Sequence, residues 1–144
     1  MAEVVGGGVV EAVGLLRAAV DALLAADLTA LSSTELTALL SAVEVQRRRG
    51  EAVDQRLLAE AVERGVAGEF GRTSPVDLLV ELLRVSPREA TARVGRARDL
   101  GPRRAVSGER LEPVLPVTAA AVAEGVLGAE HASVIVRAVA AIPA

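Results

Sequence analysis

The sequence predicts an all-α protein, a helical bundle with one long helix and two helix-turn-helix-like pairs. Three observations carry this. Apolar residues recur at helical spacing along most of the chain, Ser and Pro start signals precede several of these runs, and no stretch alternates apolar and polar residues as a strand would. The apolar set is Ala, Leu and Val, with Phe70 the only aromatic residue. Small side chains let helices approach closely. At 144 residues and 51% hydrophobic, the chain has the size of one domain, residues 1–144, and enough apolar material for a core.

The first helix is expected from Val9 to Ala26, where Val9, Val13, Leu16, Val20, Leu23 and Leu24 form one stripe. Glu3, Glu11, Arg17 and Asp21 interrupt this apolar stretch, and no basic leader precedes it. It therefore reads as neither a signal peptide nor a membrane span, and the expected location is cytoplasmic. "VGGGV" at Val5 to Val9 follows no strand and lacks the Lys-Ser/Thr ending of a phosphate loop.

Ser32 or Ser33, with Glu35 in the first turn, opens a long helix from Ser33 to Arg64. Its apolar positions are Leu36, Leu39, Leu40 and Val43, then Val53, Leu57, Ala61 and Val62. Its middle, "QRRRGE" at Gln46 to Glu51, is polar all round, and Gly50 costs about 1 kcal/mol there relative to Ala. A bend, a break or a stretch standing clear of the core is expected at that point. Gly65 is a natural stop.

"GEFGRTSP" at Gly68 to Pro75 reads as a loop. Ser74 then caps a helix with Pro75 at its first position, running to about Arg84. Ser86, Pro87 and Glu89 form a second start signal, a capping box, for a helix ending near Leu100 and Gly101. The two make a helix-turn-helix outline, with Arg84 where such turns often carry Gly. "GPRRAVSGERLEP" reads as a basic linker. A second pair follows, Pro116 to Glu124 and Ala129 to Ile142, broken by "GVLG". It has the outline of a packing or protein-contact unit.

Net charge is -3, against a general polyanion binder, but it is uneven. Arg84 to Arg110 holds eight arginines against Glu89, Asp99 and Glu109, a local +5, which leaves -8 for the rest. On a wheel of the second helix of the first pair, Ala90, Val94, Ala97 and Gly101 form the inner stripe. Arg93 and Arg98 flank it, and Arg88, Ala92, Gly95, Arg96 and Asp99 face outward. Two readings stay open. One is contact with double-stranded DNA through Arg88, Arg93, Arg96, Arg98, Arg103 and Arg104. The other is a solvated face whose arginine stems cover the bundle. Independently, the long helix, the Ala-rich faces and the overall acidity suit a protein-interaction or self-association module.

Nothing in the sequence points to catalysis, a metal or another cofactor, and a non-enzyme is expected. There is no Cys, and His131 is the only histidine. It reads as a surface or capping residue. Glu44 with Arg48, and Glu60 and Glu63 with Arg64, are ordinary helix pairs. Arg47, Arg48 and Arg49 read as a solvated or partner-facing run.

Three blocks, "LSSTELTALLSAVEVQRRR", "RGVAGEFGRTSPVDLLVELLRVSPREATARVGRARDL" and "LPVTAAAVAEGVLGAEHASVIVRAVAAIP", together resemble the actinobacterial 13E12-repeat family, domain of unknown function 222, from about Leu31 to Pro143. Leu78 departs from the pattern, where many members carry Trp. The resemblance implies a helical domain that continues past Ala144. It also implies association with HNH endonuclease domains, and so nucleic-acid work. It supplies no catalytic residue that this chain retains.

Overall fold

The computed structural model describes the backbone of residues 2–143 and the side chains of residues 7–143. The Glu3 and Val5 side chains and Ala144, named above, lie outside the described residues. The fold is all-α apart from one short hairpin, and it divides into two compact units, Met1–Leu39 and Leu40–Ala144.

The first unit holds α1 (Ala2–Ala25) and the start of α2 (Ser33–Glu63). The Asp27 carboxylate accepts from the Thr29 backbone N–H and hydroxyl at 2.9 and 2.7 Å, closing the turn after α1. Ser32 is the N-cap of α2. Its hydroxyl accepts from Glu35 N–H, and its own N–H donates to the Glu35 carboxylate at 2.8 Å, a closed capping box. Every described side chain of α1 is exposed.

The second unit is built around α5 (Pro87–Leu100). Ala90 and Ala97 of α5 pack with Leu58 of α2 and Leu79 of α4 (Pro75–Leu83). One turn on, Leu100 packs with Val122 of α6 (Pro116–Ala123) and Ala132 of α7 (Ala129–Ala140). One helix thus joins both apolar clusters. The close fit shows at Gly101, where a Cβ would stand 2.8 Å from the Ala59 side chain and 3.0 Å from the Gln55 carbonyl.

Ser74 and Ser86 cap α4 and α5 as expected, accepting from Asp77 N–H and Glu89 N–H at 3.1 and 3.2 Å. The turn between the two helices places Arg84 at φ 54, the left-handed region, the one non-glycine there among the described residues. That conformation costs a β-carbon-bearing residue about 1–2 kcal/mol.

Three expectations need correction. First, of the three outcomes expected for the middle of α2, the break does not occur: the helix runs on through Gly50, with Gln46, Arg47, Arg49 and Gly50 exposed. Its arginine run is held by α6 instead: Arg49 donates to the Ala123 carbonyl at 3.3 Å, and Arg48 to the Gly125 and Val126 carbonyls at 3.4 and 3.3 Å. The Ala123 carbonyl, at the end of α6, lacks an intrahelical partner and stands at the helix's negative pole, and those of Gly125 and Val126 lie just beyond it. Second, a helical turn, α3 (Val66–Glu69), between Gly65 and Gly71, both at φ 67, takes in Gly68 and Glu69, the first two residues of the stretch read as a loop, while the rest of that stretch up to Ser74 is non-helical. Third, the basic linker is an antiparallel hairpin, β1 (Arg103–Arg104) with β2 (Arg110–Leu111), pairing Arg103 with Leu111 and Arg104 with Arg110.

Candidate interaction surfaces

The six arginines expected on one basic face separate into two groups. Arg96 is buried, with 6% of its surface exposed, which corrects its outward placement. Its guanidinium donates to the Ser133 hydroxyl of α7 at 3.2 Å and lies 3.6 Å from the Glu51 carboxylate of α2 and that of Glu89. Arg93 is half-buried. It donates to Glu89 at 2.9 Å and sits 3.7 Å from Asp54 of α2, and the Glu89 hydrogen bond holds its pKa above the ordinary arginine value. These two cations tie α2, α5 and α7 together. The wheel failed here because α5 is covered on more than one side, and only one of those sides is apolar.

The other four are exposed. Arg88 stands at the start of α5, and Arg98 near its end forms a paired contact with Asp99 at 3.0 and 3.2 Å. Arg103 donates to the Glu112 carbonyl at 2.9 Å, and Arg104 lies 3.6 Å from Glu60. Two arginines outside the expected set join them. Arg110 is the cross-strand neighbour of Arg104, and Arg64, one residue past the end of α2, approaches Glu60 at 2.6 Å. The Arg64 hydrogen bond and charge, with a smaller contribution from Arg104, hold the Glu60 carboxyl below its ordinary value. Nothing in the sequence marks Arg110 and Arg104 as neighbours, since the hairpin strands are two residues long.

A second surface was absent from the sequence reading. The end of α2, α3 and α4 enclose an open apolar groove of about 630 Å³, lined by Leu57, Leu58, Val62, Leu78, Leu79 and Leu82. Leu57 and Leu82 expose 62% and 68% of their surface. Arg72 and Glu81 form an ion pair beside it. Leu78, the family departure noted above, is one of the wall residues.

His131 is exposed and lines a shallow cavity of about 330 Å³ with Glu44, Arg47, Arg48 and Glu130. Among the described residues, no group of three or more His, Asp or Glu side chains is placed to share a metal ion. No helix among them is long and apolar enough to cross a membrane.

A family model described as a domain of unknown function, DUF222, matches residues 37–144. Uncharacterized proteins of Mycobacterium bovis and Mycobacterium tuberculosis are 40% identical over 92 residues, covering 64% of this chain and 20% of each relative. Another uncharacterized Mycobacterium tuberculosis protein is 38% identical over 97 residues, covering 67% of this chain and 21% of that protein. The chain thus spans about a fifth of the length of these curated relatives. No solved structure matches.

Proposed function

The chain belongs to the DUF222 family, and from that premise we propose that it is a non-catalytic helical module that works by contact with other proteins. The observation that carries this reading is the leucine-lined groove beside α4. Exposed aliphatic side chains, here Leu57 and Leu82, on the rim of a concave apolar wall are the mark of a binding site. Leucines from facing helices suit an amphipathic helix of a partner, laid with its apolar face inward. The test uses a fluorescein-labelled amphipathic peptide with Leu at helical spacing, read by anisotropy. Binding at micromolar concentration is expected. Leu57→Glu and Leu82→Glu, both at exposed positions, should weaken it at least tenfold, about 1.4 kcal/mol. No binding at about 100 μM peptide removes the reading.

A second reading, contact with duplex DNA, is favoured by the hairpin. Like charges directly opposite across two strands destabilise them, and a polyanion beside Arg104 and Arg110 would relieve that repulsion. The surface would comprise Arg88, Arg98, Arg103 and Arg104, with Arg93 and Arg96 retained for the fold. In this reading the module positions a nuclease on DNA, the HNH association that the resemblance implies. Anisotropy of a labelled duplex across a salt series decides it. Removing Arg98 and Arg103 together should shrink the slope of log affinity against log salt by about 2. A duplex that does not bind at low salt eliminates it.

A further inference from the structure

We propose that α1 pairs with α1 of a second copy of this chain, as a short parallel two-stranded coiled coil. The inference rests on the contact-module reading, but it concerns a different surface from the groove. Along α1, Val9, Val13, Leu16, Val20 and Leu23 follow one another at spacings of four, three, four and three residues. That is a heptad seam. Val13 and Val20 take its a positions, and Val9, Leu16 and Leu23 its d positions. β-Branched residues at a with Leu at d favour two parallel strands.

The remaining positions agree. Glu11 and Asp21 fall on the side away from the seam, where charge belongs. Arg17 flanks the seam and turns toward Asp21, 3.9 Å away. Ala12 and Ala19 border the opposite edge, so no like charges meet across the pair, and the helices can approach closely. Gly7, Gly8 and Gly14 make α1 a poor helix by itself, and most helical stability in proteins comes from packing of an apolar face. A second helix along the seam supplies what its composition lacks.

The area is sufficient. The five seam residues expose between 46% and 65% of their surface, and the flanking Val10 and Leu24 expose 74% and 80%. At roughly 100 Å² for a Val or Leu side chain, these seven offer about 400 Å² per helix. With the alanine edges, two helices bury about 1,000 Å², the size at which a specific interface begins. An interface of that size is expected to give a reversible dimer with a micromolar dissociation constant.

Sedimentation equilibrium of the whole chain tests the pairing, and oxidative cross-linking tests its register. The chain has no cysteine, so single cysteines report cleanly. Wild type should show a concentration-dependent monomer–dimer equilibrium, and Leu16→Glu should raise its dissociation constant at least tenfold. Val13→Cys should form a disulfide-linked dimer under mild oxidant much faster than Glu11→Cys on the outer side. A monomeric wild type at about 100 μM overturns the proposal. So does a dimer indifferent to Leu16→Glu, or equal cross-linking of the two cysteine variants. The groove peptide reads a surface of the other unit, so either result leaves the other measurement standing.

Discussion

The Arg96 side chain is a buried cation whose partners come from three helices, Glu51, Glu89 and Ser133. Arg96 is almost fully buried, but Glu51 and Glu89 keep 33% and 44% of their side-chain surface exposed, so solvent compensates them in part and the cost of removing Arg96 falls at the low end of the about 3–5 kcal/mol of a fully buried pair. Arg96→Ala should therefore lower stability by about 3 kcal/mol in a urea titration. Arg98→Ala, which removes an exposed guanidinium from a largely buried Asp99, should cost less, about 1 kcal/mol. Equal effects of the two would refute the assignment. The Arg96 role was not legible in the sequence, because a helical wheel places Arg outward by default. Two of the partners, Glu51 and Ser133, lie 45 residues before it and 37 after it, out of reach of local pattern. Gln55, whose amide nitrogen is buried without a hydrogen-bond partner, is the same lesson reversed. It sits in a helix read for its apolar stripe, and only the packed structure shows it inside.

The helix starts were the most legible elements, since a cap is a local device. Ser32, Ser74 and Ser86 each accept from the N–H three residues on, and each is followed there by an acid. The middle of α2 was illegible for the opposite reason. Its arginines satisfy carbonyls at and just beyond the end of α6, more than seventy residues away in sequence. That junction depends on Gly125, which has φ 79 and whose absent Cβ would stand 2.7 Å from both the Val45 side chain and its carbonyl. Gly125→Ala combines a left-handed conformation with overpacking, and a loss of about 2 kcal/mol or more is expected. Gly50→Ala, in open space on the same α2, should instead stabilise by up to about 1 kcal/mol. Thermal melts of the two variants should move in opposite directions.

At the scale of the whole molecule, the fold class was legible because Ala, Leu and Val recur at one period throughout. The division into two units was not, since α2 runs across the boundary without a break in pattern. The acid response is also a whole-molecule property. Four carboxyls are held below their ordinary values: Asp27 by Thr29, Glu35 by Ser32, Glu60 by Arg64, and Asp77 by Thr73 and Ser74. A group whose pKa is depressed in the folded state contributes stability that is complete above its unfolded value. That contribution is lost as pH falls through the folded value. The urea midpoint should therefore hold down to about pH 4.5 and fall steadily below it. A midpoint unchanged at about pH 3 would mean that these hydrogen bonds do not distinguish the folded chain from the unfolded one.

The hairpin between α5 and α6 has one more consequence, for how the chain can vary. Its tip, Val106 to Gly108, is fully solvated and touches neither apolar cluster. What joins the two sides is Leu100 against Val122 and Ala132, together with the Asp99 carbonyl accepting from the Leu115 N–H at 3.1 Å below the strands. The tip above that seal and above the strands is free to lengthen, shorten or accept foreign sequence without disturbing what lies beneath it. Within the family, then, this is the point where size and sequence can diverge first.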